Sequence, residues 1–313
     1  MMDISKIFGV YEKEITLVSL PEKDRNVRIP VADIRGRTSG KTLLVTGGID
    51  GDEYAGIEAA YRLIKKYSHT DLYGRLIIVP IVNPFGYLAE QSKNPIDDKF
   101  PKYELPGDPQ GSSSQRLGYW LVSRYASEAH LWLNLHSGAL TERVRPHIWV
   151  RHTGVKEVDA RTKKFIEVAQ TPVVQRKATR GSVAEFLAKK DCSYVLLESG
   201  GRGECASEDV ERHVRWVENA MGLLGIHDVE HRGPALQREV RVYNSYSTVC
   251  APCDGVYTFK LLKNEVTKGE DVGSYRTFTG KEVALTAPCN GIVLWQKETM
   301  AMRTGDVLCA IAH

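Results

Sequence analysis

Between residues 41 and 225 the apolar positions alternate between short unbroken runs and helix-spaced stripes. Leu43–Val45 is an apolar run that ends at Gly47-Gly48. The helix pattern that follows, from Glu53 to Tyr67, puts Ile57, Ala60, Tyr61 and Ile64 on one face. Residues 76–82 form a continuous apolar run, the pattern of a strand covered on both sides. From Phe85 to Gly111 there is no period, which predicts a long loop, and loops of that length in a compact protein usually carry function. Helices are predicted over Ser114–Ala126, Ser182–Lys190 and Ser207–Leu224. Strands are predicted at Leu131–Leu135, Val173–Val174 and Tyr194–Leu197. Strands alternating with helices predict an α/β fold, a mainly parallel mixed sheet with helices on both faces.

After Gly233 the texture changes to short strands and glycine turns. Val249-Cys250-Ala251-Pro252-Cys253-Asp254-Gly255-Val256 repeats as Leu285-Thr286-Ala287-Pro288-Cys289-Asn290-Gly291-Ile292, 36 residues later. A glycine turn at Gly269 returns at Gly305 with the same offset. This predicts a small all-β barrel-sandwich domain over 233–313 with pseudo-twofold halves, behind a larger domain over 1–232. It resembles the biotinyl/lipoyl-like half-barrel. Glu298-Thr299-Met300-Ala301-Met302 has the outline of a biotin-attachment motif, but Ala301 stands where the lysine belongs. Cys250 and Cys253 form a CxxC, which the repeat explains more simply than a zinc site. Cys253 and Cys289 are expected to be small core residues.

The candidate chemistry lies at the carboxyl ends of predicted strands, where open α/β sheets place their ligands. Asp50 and Glu53 sit three apart in Gly47-Gly48-Ile49-Asp50-Gly51-Asp52-Glu53. His136 closes the Leu131–Leu135 strand, and Glu198 ends another before Gly200-Gly201. Asp50, Glu53 and His136 supply two oxygens and a nitrogen for a metal, with Glu198 as general base. Taken singly each has a plainer reading. Asp50 is then a turn residue, Glu53 a first-turn carboxylate, His136 a structural histidine and Glu198 an edge charge.

In order, GGIDGDEYAG (47–56), NPFG (83–86), PIDDKFPKYELPG (95–107), NLHSG (134–138) and ESGG (198–201) resemble the succinylglutamate desuccinylase/aspartoacylase family, which is related to the zinc carboxypeptidases. The resemblance spans nearly the whole chain and includes the C-terminal β-domain, expected to narrow the cleft entrance or mediate self-association. It implies a zinc-carboxypeptidase-like fold and a metal-dependent deacylase that cleaves an amide, or an ester, in a small N-acylated molecule. Glu53, His136 and Glu198 match the family pattern. Asp50 stands where the family has a metal histidine, and Asn134 where it has an aspartate. The family's substrate-carboxylate clamp of Asn and Arg falls on Lys102 and Tyr103. Lys102, Tyr103, Arg116 and Arg202 are the candidate substrate-binding residues.

These departures have physical consequences. A His/Glu/His shell around Zn²⁺ carries a net charge of about +1, whereas Asp/Glu/His is neutral and activates water less. The extra carboxylate also makes the site harder, so Mn²⁺ or Fe²⁺ stand beside Zn²⁺ as the cofactor. Lysine and tyrosine cannot reproduce a bidentate guanidinium clamp, so a plain N-acyl amino acid held in the usual way is not expected. The alternative is a catalytically inactive binding or assembly protein on the same fold.

Composition narrows the picture further. A formal charge of +3 without a dense Lys/Arg cluster argues against nucleic acid. The first residues carry Asp3, Lys6, Glu12 and Lys13 and have no apolar signal region. No stretch reaches the roughly 18 to 20 apolar residues that cross a bilayer. A cytoplasmic protein acting on a small molecule is expected, with the six cysteines reduced and a homo-oligomer left open.

Overall fold

The computed structural model describes residues 15–22, 25–228, 240–260 and 264–313. Strands β1 (Ile15–Glu22) and β2 (Arg25–Arg35) lead into β3 (Thr42–Thr46), α1 (Tyr54–Lys66), β4 (Arg75–Val79) and α2 (Pro84–Leu88). Helix α3 (Ser113–Arg124), β5 (Leu131–His136), β6 (Glu142–His152) and α4 (Lys156–Ala169) follow. Next come β7 (Val173–Lys177), α5 (Val183–Ala188), β8 (Ser193–Gly201) and α6 (Ser207–Leu223). No helix among the described residues is long and apolar enough to cross a membrane.

The sheet runs β1-β2-β4-β3-β5-β8-β6, and its centre is parallel: β4, β3, β5 and β8 point the same way. Every residue of β3 and β5 is buried. Leu43 and Val45 pack with α1, α4 and α6 on one face, while Leu44 and Trp132 pack with α3 and α5 on the other. Two apolar faces explain why these strands read as unbroken apolar runs rather than alternating ones.

The chain from 85 to 111 is more ordered than the aperiodic sequence predicts. Asn83 caps the short helix α2 by accepting from the Gly86 N–H at 3.0 Å, and Pro101–Tyr103 forms a 3-10 turn. Asn94 bonds Ile96 N and Ser113 Oγ, and Asp97 bonds the Ser114 N–H and hydroxyl. Short side chains bonding nearby backbone make structure without any hydrophobic period. Strands β1, β2 and β6 were also not predicted; β6 mixes buried and half-exposed positions along its length.

The C-terminal strands are β9 (Val242–Tyr243), β10 (Tyr246–Cys250), β11 (Gly255–Phe259), β12 (Glu265–Val266), β13 (Asp271–Thr277), β14 (Glu282–Thr286), β15 (Gly291–Lys297), β16 (Ala301–Met302) and β17 (Val307–Ala312). The repeat governs them: β14, β15, β16 and β17 each begin 36 residues after β10, β11, β12 and β13. The copies interlock. One sheet is β10-β17-β15-β12 and the other is β14-β13-β11-β16, so each draws strands from both copies. The core expectation for the cysteines needs correction. Ala251 and Ala287 are the buried equivalents, whereas Cys253 and Cys289 are half-buried and Cys250 is exposed. An alanine fits the tight centre between sheets, and the cysteine two places on turns towards the rim. All six cysteines are free thiols.

Strand β15 pairs antiparallel with β6, joining the C-terminal strands to the large sheet beside the end of β8. Just beyond, Glu298 receives Arg143 Nε at 2.5 Å, and its N–H bonds the Thr141 carbonyl.

Candidate active site

The four central strands end at a common edge, and the loops leaving β3 and β5 bring the cluster together there. Gly51 lies against α2 so closely that an added Cβ would meet Gly86 C at 2.1 Å. That contact sets where Asp50 leaves the turn. Glu53 is the N-cap of α1 but makes no side-chain cap bond. Its carboxylate instead accepts the Ser137 N–H at 3.0 Å. Its role is therefore tertiary, not the local helix-start role available to it in sequence.

Asp50, Glu53 and His136 are buried, and one ligand atom from each lies within 4.8 Å of the others. His136 Nδ1 is 2.8 Å from Glu53 Oε2 and 3.5 Å from Asp50 Oδ2, yet it is aligned for a hydrogen bond with neither. Asp50 Oδ1 is likewise buried without a partner. Adjacent ligands of a tetrahedral ion with bonds of about 2.0–2.1 Å are about 3.3 Å apart, and the two measured separations bracket that value. Among the described residues this is the one such group of three metal-ligating side chains.

Lys102, at the 3-10 turn, places its ammonium on Asp50 Oδ2. Burial would raise the Asp50 pKa, but the Lys102 charge and the contact with His136 outweigh it and hold the carboxylate ionised. Burial dominates at Glu53 and pushes its pKa well above the usual range, against the pull of His136. Burial disfavours the charged imidazole of His136, yet the Glu53 and Asp50 carboxylates push its pKa up to about 10.

A buried relay stands behind His136. Trp132 Nε1 donates to Thr46 Oγ1 at 2.8 Å, which spends its own proton on Asn134 Oδ1 at 2.7 Å. Asn134 Nδ2 therefore faces His136 Nε2 at 2.9 Å and the Tyr194 hydroxyl at 3.0 Å. Burial pushes the Tyr194 phenol up to about 12 and keeps it neutral. Thr46, Trp132 and Tyr194 were missed in sequence. The signal available was polar groups interrupting apolar strands in register, Thr46 beside Asn134 and Trp132 beside Tyr194.

Glu198 sits on β8 in register with His136 on β5. The residue is half-buried, but its Oε2 is shut off from solvent and has no partner. Burial pushes its pKa up to about 7, with His136 and Lys102 pulling the other way. The other candidates spread out. Tyr103 is 75% exposed at the rim. Arg116 bonds the Gly111 carbonyl at 2.7 Å. Arg202 pairs with Glu204 at 2.6 Å and approaches Glu298 at 3.7 Å.

The model of the succinylglutamate desuccinylase/aspartoacylase catalytic domain matches residues 39–224, which contain all of these side chains except the C-terminal Glu298. The chain belongs to this family. A curated relative, the N-alpha-acetyl-L-2,4-diaminobutyric acid deacetylase of Halomonas elongata, is 26% identical over 92% of the chain and 86% of its own length. Two solved structures share the fold with a TM-score of 0.84. One is a succinylglutamate desuccinylase/aspartoacylase from Rhodobacter sphaeroides, at 22% identity over 96% of this chain and 95% of that one. The other is the product-bound ectoine utilization protein EutE (DoeB) from Ruegeria pomeroyi, at 23% identity over 96% and 98%.

Proposed function

We propose that this family member hydrolyses an amide, or an ester, in a small N-acylated molecule, with Glu198 as general base beside a cation held by Asp50, Glu53 and His136. One observation carries the reading: a partnerless Glu198 carboxyl oxygen, in register with His136, with its pKa raised to about 7. A base matched to neutral pH is what proton transfer from water to a leaving amine requires.

The residues fit a divalent cation by chemistry and by their unsatisfied atoms. Two carboxylates and a ring nitrogen converge, and Asp50 Oδ1 and His136 Nδ1 lack partners. This donor set suits Zn²⁺, with Mn²⁺ or Fe²⁺ as alternatives. Such an ion, when bound, polarises a carbonyl and acidifies its water. Glu198 takes the proton of the attacking water at Oε2 and returns it to the departing nitrogen. Lys102 and Tyr103 take the chain positions that the family resemblance gives to the guanidinium clamp; here Lys102 bonds Asp50 and Tyr103 lies exposed. Arg116, bonded to the Gly111 carbonyl, and Arg202, paired with Glu204, brace loops and remain candidate cations for substrate.

The test uses chelator-treated protein reloaded with Zn²⁺, Mn²⁺ or Fe²⁺ and a panel of N-acetyl and N-succinyl amino acids. The panel includes the diamino acid derivative named for the Halomonas relative. Metal-dependent release of free amine that Glu198→Gln abolishes supports the proposal; no metal uptake and no turnover overturns it. The Lys102 contact with Asp50 favours a second reading, a binding protein that keeps the cleft without catalysis. That reading requires Glu198→Gln to leave the protein's biological phenotype intact.

A further inference from the structure

We infer that Lys102 is a tethered cation that competes with the metal for Asp50, so that loading the site and releasing Lys102 are one coupled event. The inference rests on the metallohydrolase reading above and concerns how that site is regulated.

The Lys102 ammonium bonds Oδ2 of Asp50, the same oxygen that lies 3.5 Å from His136 Nδ1. Asp50 has no solvent exposure, and the lysine side chain retains 23% of its own. An ammonium and a divalent ion repel strongly at this spacing in a water-poor site, and Oδ2, the Asp50 oxygen beside His136 Nδ1, is the one both would draw on. The stem has somewhere to go. Lys102 belongs to a 3-10 turn, its ammonium lies 5.6 Å from the Phe100 ring centre and 5.4 Å from that of Tyr103, and Tyr103 opens to solvent. A flexible four-carbon stem can withdraw along those rings while its charge stays at the mouth.

The network behind His136 is set the same way. A metal on Nδ1 requires the ring proton on Nε2, but the Trp132–Thr46 relay presents an amide N–H there. Both devices favour a cation-free cluster held by the chain's own hydrogen-bond donors, and loading has to displace both.

The experiment measures Zn²⁺ affinity of the full chain, stripped of metal, by competition with a chromogenic chelator. Lys102→Met is expected to bind Zn²⁺ at least tenfold tighter than the parent. Lys102→Gln, which keeps a donor for Asp50 but drops the charge, should fall between the two. Near-ultraviolet circular dichroism confirms folding, and Lys102→Gln carries the test if Lys102→Met does not fold. Affinities of both variants within twofold of the parent, or weaker, overturn the competition while leaving the metal site standing. Failure of the parent and both variants to bind Zn²⁺, Mn²⁺ or Fe²⁺ overturns the metallohydrolase reading itself.

Discussion

Asn134 faces Nε2 of His136 with its amide nitrogen, 2.9 Å away, because Trp132 and Thr46 have already claimed its oxygen. A neutral His136 then carries its proton on Nδ1, among the carboxylates. The Glu53 and Asp50 carboxylates beside Nδ1 favour the proton at that nitrogen. Replacing Asn134 by aspartate would let Nε2–H donate and leave Nδ1 bare for a metal. Partners of ligating histidines typically change metal affinity by about 10- to 100-fold. Asn134→Asp is expected to tighten Zn²⁺ binding by that order, read by chelator competition. Unchanged affinity would show that the ring proton does not limit loading.

The pH dependence of turnover should report Glu198. In the cation-free site burial raises its pKa to about 7, and a bound cation would pull it lower, so the base form is lost as pH falls through 7 or below. Below that, kcat/KM should drop about tenfold per pH unit, the behaviour of a single required base. Glu198→Gln should remove the limb and about 10²- to 10⁴-fold of the rate. A rate profile flat from pH 5 to 8 in the parent would remove Glu198 from this role.

Acid sensitivity of the fold should come in part from His147 and His213. Both are buried, and burial pushes each down to about 4. The unfolded chain takes up these protons near the ordinary value of 6.5, and the folded chain only near 4. Their stabilisation is therefore full above 6.5 and is lost as pH falls towards 4. Each histidine contributes a slope of up to about 1.4 kcal/mol per pH unit in that window. Urea unfolding at pH 7 and pH 5 measures it. His213→Gln should shallow the slope, and an unchanged slope would remove His213 from the account.

Gly51 sets the floor beneath Asp50. An alanine Cβ would meet Gly86 C at 2.1 Å and Tyr87 N at 2.2 Å, both backbone atoms that cannot step aside. Gly51→Ala should cost about 2 kcal/mol or more, the range of overpacking that moves backbone. It should also weaken metal uptake by shifting Asp50. Thermal unfolding and chelator competition check both, and a wild-type melting temperature would contradict the close packing.

Much of this was readable along the chain. Unbroken apolar runs marked the parallel strands because those strands are covered on both faces. The 36-residue repeat marked two matching halves, and the structure starts four pairs of strands at that offset because each copy builds the same strands. Asp50, Glu53, His136 and Glu198 were named from their places at strand ends together with the family resemblance, and the structure brings the first three into one cluster. Helix α2 and the 3-10 turn escaped notice, since side-chain-to-backbone bonds leave no hydrophobic period. Strands β1 and β2 were not predicted either; Thr16 to Ser19, the positions of β1 whose burial is described, are exposed or half-buried.

The sequence by itself determined the central strands, the longer helices and which side chains sit at the strand ends, because period and strand-end position are local properties. Only the tertiary structure decided what those side chains meet. Lys102 reaches Asp50 across 52 positions, and Thr46 orients Asn134 across 88. Contacts at such separations depend on how strands register and loops fold back. Whether Asp50 faces an ammonium and His136 a donor is therefore settled by packing, which no stretch of the chain encodes alone.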